Sequence, residues 1–161
     1  MASERAAALA DDFGAANADA LEFARSCSKG EWATTVPGEG WTVGVVLHHI
    51  AEGHAHFASW LDDMTSGEGV AETAEDVDRA NAAHAARAEI VSPVETVALL
   101  EANGALLSEA LRRLSDVDLD RMAPFAPAGG RLVTTGDLAA VPARHVREHL
   151  AHALVAAGRE T

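Results

Sequence analysis

The chain has 161 residues, 48% of them hydrophobic, and a formal charge of −13 from 25 acidic against 12 basic residues. One domain of this length buries a core without staples, and the single cysteine, Cys27, excludes an internal disulfide or a cysteine zinc knuckle and fits a reducing compartment. A strongly acidic chain repels a phosphate backbone, no run of 18 uncharged apolar residues occurs, and the first 20 residues have neither a basic start nor an unbroken apolar stretch. A cytoplasmic protein with no nucleic-acid or membrane partner is expected.

Residues 3–28 read as the first helix, Ala-rich, with Leu9, Phe13, Ala16, Ala20, Leu21 and Ala24 at three-to-four spacing. Cys27, near its end, is expected as a small buried apolar residue. Pro37 and two glycines make residues 31–40 a loop, with Trp32 folded back onto the bundle. Thr42 is a suitable N-cap for a second helix over 43–64, whose apolar stripe is Val43, Val46, Leu47, Ile50, Phe57, Leu61 and Met64. His54 falls inside that stripe and is expected as a core histidine. His49 and His56 fall on its flank, beside Gly53 and Trp60, and His48 is expected on the side opposite His49.

Residues 66–69 read as a turn and 72–89 as an acidic, weakly amphipathic helical crossover. Ser92, Pro93 and Glu95 then give a strong start signal for a helix to about residue 114, with Val94, Val97, Leu100, Leu106, Ala110, Leu111 and Leu114 as apolar positions and Gly104 as a weak point. Pro124, Pro127 and the Gly129-Gly130 pair make residues 115–134 a long loop suited to a cavity rim. The last helix is expected from Thr134 or Thr135 to about residue 157, kinked at Pro142. No stretch alternates as a strand would. The reading is a single all-α domain over residues 1–161, a four-helix bundle with a helical crossover between its second and third helices.

Three of the eight histidines, His145, His149 and His152, lie along one edge of the last helix, beside a core face of Val146, Leu150, Ala153 and Leu154. Imidazole is the commonest ligand for borderline transition metals, and an i, i+4 pair places two ring nitrogens one turn apart. Two ligands do not make a site. The other concentration, His48, His49, His54 and His56, is on the second helix. If the edge bearing His49 faces the last helix, three imidazoles can bind one divalent ion and leave positions open. Glu52 and Glu148 are candidate acceptors for ligand N–H groups. The spacings match neither HExxH nor paired ExxH, and there is no GxSxG elbow.

Trp41-Thr42-Val43 followed by Leu47-His48-His49-Ile50-Ala51 is similar to the second-helix motif of the DinB-like superfamily, and His145-Val146-Arg147-Glu148-His149 is similar to the HxxxH of its last helix. The resemblance covers nearly the whole chain in helix order. It implies an up-down-down-up bundle in which His49, His145 and His149 form a metal triad, usually for zinc or nickel. Family members with known activity use thiols: mycothiol-dependent maleylpyruvate isomerases, which carry a further C-terminal domain, and related low-molecular-weight-thiol S-transferases. An Ala-rich, lysine-poor composition resembles that of a high-GC actinobacterium, for which mycothiol is the expected thiol.

The expected function is a metal- and thiol-dependent S-transferase or isomerase acting on a small electrophile. The alternative is a non-catalytic metal-binding or small-molecule-sequestering stress module. His152 stands where relatives often have glutamine, leaving a fourth ligand or an altered pocket open, as is a homodimer.

Overall fold

A helix starts where something answers its first unpaired N–H groups, and this chain supplies a hydroxyl at nearly every start. In the computed structural model, which describes residues 3–88, 90 and 92–159, Ser3 accepts from Ala6 N and opens α1 (Glu4–Ser26). Ser28 and Glu31 cap one another around a single turn, α2 (Lys29–Trp32), which runs into the start of the stretch expected as loop. Thr42 accepts from Val45 N and opens α3 (Val43–Ser66), closed by Gly67 at φ 87°. The crossover is α4 (Ala74–Ala88), and its expected end at Glu89 lies outside the described residues. Ser92 and Glu95 form the anticipated capping box before α5 (Pro93–Arg112).

The stretch 115–134 is not the structureless loop its prolines and glycines suggested. It contains α6 (Asp116–Asp120) and an antiparallel hairpin of β1 (Met122–Phe125) and β2 (Arg131–Thr134), paired from Met122 opposite Thr134 to Phe125 opposite Arg131. Four-residue strands are too short to show alternation, and Pro124 masks the first; a two-stranded sheet has only edge strands, where proline is tolerated. The hairpin is fastened at Val70, whose N–H donates to Pro124 O (3.0 Å) and whose carbonyl accepts from Ala126 N (2.9 Å).

Pro142 does not kink one long helix. Thr134 and Asp137 cap a separate α7 (Thr135–Ala139), and α8 (Val141–Ala156) begins anew with Pro142 in its first turn, where a missing N–H breaks no intrahelical bond.

The four long helices α1, α3, α5 and α8 form the up-down-down-up bundle: α3 packs on α5 and α8, and α1 packs on the same two from the other side. Phe13, Leu47, Ile50, Leu61, Leu100, Leu107, Leu111 and Val146 fill the middle. The stripe expected for α3 is buried throughout, whereas on α5 Val94 and Leu106 are exposed and the inward line runs Thr96, Leu100, Gly104, Leu107, Leu111. Gly104 is a requirement of packing. A Cβ there would collide with the Asn17 amide, which donates to Leu100 O at 3.3 Å.

Candidate metal centre

The seam between α3 and α8 brings His49 together with His145 and His149. One turn beyond His49, Gly53 has no side chain, and a Cβ there would stand 3.3 Å from His145 Cε1, so the α8 imidazole rests directly on the backbone of α3. His49 Nε2 and His145 Nε2 are 3.2 Å apart. The ring centroids are 5.1 Å apart for His49 and His145, 5.0 Å for His49 and His149, and 4.6 Å for His145 and His149. Each of the three offers a ligand atom within 4.8 Å of the other two. Two nitrogens bound to one tetrahedral zinc at 2.0–2.1 Å stand about 3.3 Å apart, so the His49 to His145 spacing is that of co-ligands.

Protonation favours the same use. Burial, followed by the charge His149 would carry, pushes His49 and His145 down to about 3. Both are therefore neutral at physiological pH, the state in which imidazole has a lone pair to give. His145 Nδ1 is buried without a partner among the described residues, so only the neighbouring imidazoles hold that ring's polar edge.

His149 is oriented from outside the helices. Its Nδ1 lies 3.3 Å from both carboxylate oxygens of Glu39, and His152 Nδ1 lies 2.8 Å from Oε1 of the same group. The 36–41 turn is closed by Val36 N–H to Trp41 O (2.7 Å), and Gly38 and Gly40, at φ 86° and 72°, flank Glu39 and let the chain reverse around it. A carboxylate on the far nitrogen of a ligating histidine fixes its tautomer and raises its basicity. His152 is thereby tied to Glu39 and stands outside the converging set.

The triad forms one wall of a cavity of about 680 Å³ reaching between α3, α4, α5 and α8. Trp41, Phe57, Trp60 and Leu99 make its apolar side, while Asn81, Asn103 and Arg87 bring polar groups. The hairpin buttresses it, with Phe125 edge-on to Trp60 at 5.3 Å. His56 also lines the cavity and pairs with Glu72 at 2.6 Å, which takes the Trp60 indole N–H at 3.1 Å as well.

Several expectations need correction. His48 is not on a remote side of α3: it is buried and stacked on His84 of α4, centroids 5.0 Å apart, and the His84 ring lies 5.7 Å from that of His49. Glu52 serves His84 Nδ1 (2.8 Å) instead of a triad member, and Glu148 is on the exposed side of α8. Cys27 is only half-buried, at the C-cap of α1, where burial and then Glu31 push its thiol up. It is not among the residues lining the cavity. His54, by contrast, is the core histidine expected: fully buried, bonded to Asn17 Oδ1 at 2.9 Å, and pushed down to about 4 by burial.

Glu39 and His84 were missed by the sequence reading. Glu39 was hidden in a loop whose glycines read only as breakers. His84 had a usable signal, since Val77, Asn81, His84 and Ala88 repeat at helical spacing on the inner face of α4.

An up-down-down-up bundle whose second and last long helices share a histidine cluster defines the class. The chain belongs to the DinB superfamily, whose sequence profile matches residues 12–153. Among solved structures it is similar to one described as "YfiT from Bacillus subtilis is a probable metal-dependent hydrolase with an unusual four-helix bundle topology", with a TM-score of 0.79 and 18% identity over 99% of this chain and 91% of that one. No curated protein matches it. Among the described residues no helix is long and apolar enough to cross a membrane.

Proposed function

We propose that the protein is a divalent-metal-dependent S-transferase or isomerase that activates a low-molecular-weight thiol, mycothiol or one like it, for attack on a small electrophile. The ligands are His49, His145 and His149, and the metal is zinc or nickel. The observation that carries this reading is the convergence of three imidazoles on one cavity wall, with ligand atoms within 4.8 Å of one another. Three histidines are the protein half of a catalytic zinc site that keeps a position open. A divalent ion held there supplies the positive charge that lowers the pKa of a thiol or water brought to it, so that a nucleophile exists at neutral pH.

The chain's own residues do the remaining work. Glu39 holds the His149 ring in register, and Trp41, Phe57, Trp60 and Leu99 exclude water beside the reacting groups. Arg87 and the amides of Asn81 and Asn103 offer charge and hydrogen bonds to the polar parts of a cosubstrate. Sequestration of an apolar molecule would call for an entirely apolar chamber, so this mixed lining favours turnover. Cys27, outside the cavity lining and with a raised pKa, does not supply the nucleophile.

A hydrolytic reading, suggested by the description of YfiT, would keep the ion and replace the thiol by water. The test is metal analysis of the purified protein together with a conjugation assay on a generic electrophile. The proposal expects turnover with added thiol and none after chelation. Cleavage of an ester or amide without thiol would favour hydrolysis, and a bound metal with neither activity would favour the sequestering module. With a charge of −13, the protein should not retard duplex DNA at physiological salt.

A further inference from the structure

α4 buries only two side chains, Ala88 and His84, so the one large group with which the crossover grips the bundle is an imidazole. An aliphatic residue would bury there without loose polar atoms. His84 instead keeps Nε2 buried without a partner among the described residues, and it stacks on His48, whose Nδ1 is buried and unpartnered as well. The two residues are 4% and 7% exposed. Two unsatisfied imidazole nitrogens side by side destabilise the protein unless something shares them.

Glu52 completes the group. It lies four residues after His48, hence on the same face of α3, and its carboxylate is 2.8 Å from His84 Nδ1. His48, Glu52 and His84 each offer a ligand atom within 4.8 Å of the other two.

We propose that His48, Glu52 and His84 form a second divalent-metal site, separate from the triad and facing the same cavity. Two imidazoles and one carboxylate are the protein ligands of the thermolysin type of zinc centre and of non-haem iron(II) centres, so the site takes zinc or iron(II). A carboxylate beside two imidazoles is a donor set that suits a dication. The stacked rings are 23° from parallel and do not aim both lone pairs at one point, so binding turns at least one of them about its Cβ–Cγ bond. Glu52 and His84 line the same cavity as His49, His145 and His149, which places the two centres along one substrate chamber. Neither set shares a ligand with the other, so the second site stands whether or not the triad binds metal.

The test is zinc stoichiometry of the full chain against a competing chelator, with cobalt(II) spectra as a second readout. Two equivalents are expected in the wild type. His84→Ala and Glu52→Gln each lose one and its cobalt bands, His149→Ala loses the other, and His84→Ala/His149→Ala binds none. Circular dichroism separates loss of the site from loss of the fold, and Glu52→Gln preserves side-chain size. A wild type saturating at one equivalent that His84→Ala and Glu52→Gln leave untouched would overturn the proposal, as would two equivalents that neither change diminishes. A lone equivalent removed by His84→Ala but not by His149→Ala would support this site and sink the triad. If the cluster is only a clasp between α3 and α4, His84→Ala lowers the melting temperature and leaves the stoichiometry unchanged.

Discussion

Two histidines of α3, five residues apart, meet opposite surroundings. His54 faces α1, where Asn17 uses its amide nitrogen on Leu100 O and turns its oxygen to His54 Nε2, so the imidazole donates to a fixed acceptor at 2.9 Å with Phe13 edge-on at 4.9 Å. His49 faces α8, and its Nε2 lies 3.2 Å from another imidazole nitrogen, Nε2 of His145. An amide oxygen can take a proton from imidazole but cannot compete with it for an ion, whereas a second imidazole can join it as a ligand. The partner, more than burial, separates the structural histidine from the candidate ligand, since both rings are pushed far below their ordinary pKa.

The contrast is sharpest in activity. Chelation, or His149→Ala, should take thiol-dependent conjugation to background while the far-ultraviolet dichroism persists; His54→Ala should leave specific activity of the folded fraction intact. His54→Ala should instead cost roughly 3 kcal/mol in urea unfolding, from the cavity and the stranded Asn17 oxygen, with the ion retained. Loss of metal in that variant would erase the distinction.

Acid should act on His54 with a definite sign. Its pKa is about 4 when folded against an ordinary 6.5, so between those values the unfolded chain binds the extra proton. Stability is full above pH 6.5 and declines as pH falls through 4, by roughly 3 kcal/mol from this group. His49 and His145 add to the same trend once the protein is chelated. Denaturant titrations of chelated wild type and His54→Gln from pH 7 to 4 should show the shallower slope in the variant; parallel slopes would mean that His54 is not held neutral. Glu39→Gln should weaken metal affinity about 10- to 100-fold in a competition titration, through His149 alone. Cys27→Ser should change turnover least, by no more than experimental scatter.

The long helices were legible because their signals are local. Hydroxyl caps at Thr42 and Ser92 and an apolar stripe such as Val43 to Met64 need only neighbouring residues to be read. His54 was legible for the same reason, as a member of that stripe. What escaped depends on contacts between distant segments. Glu39 reaches His149 across 110 positions, and Glu52 was drawn away from the triad by His84, 32 positions on. Nothing within a helix says that α4 will lie over His48 and bury it. The hairpin at 122–134 is held by Val70, a residue with no signal of pairing in its own neighbourhood.

The most direct test follows the tightest equivalent of zinc, by competition with a chromogenic chelator, in wild type, His49→Ala, His145→Ala, His48→Ala and His54→Ala. The triad predicts that this equivalent disappears in the first two variants and survives in the last two. Retention of equal, equally tight metal in all five proteins would contradict it and leave His49, His145 and His149 as a packing cluster.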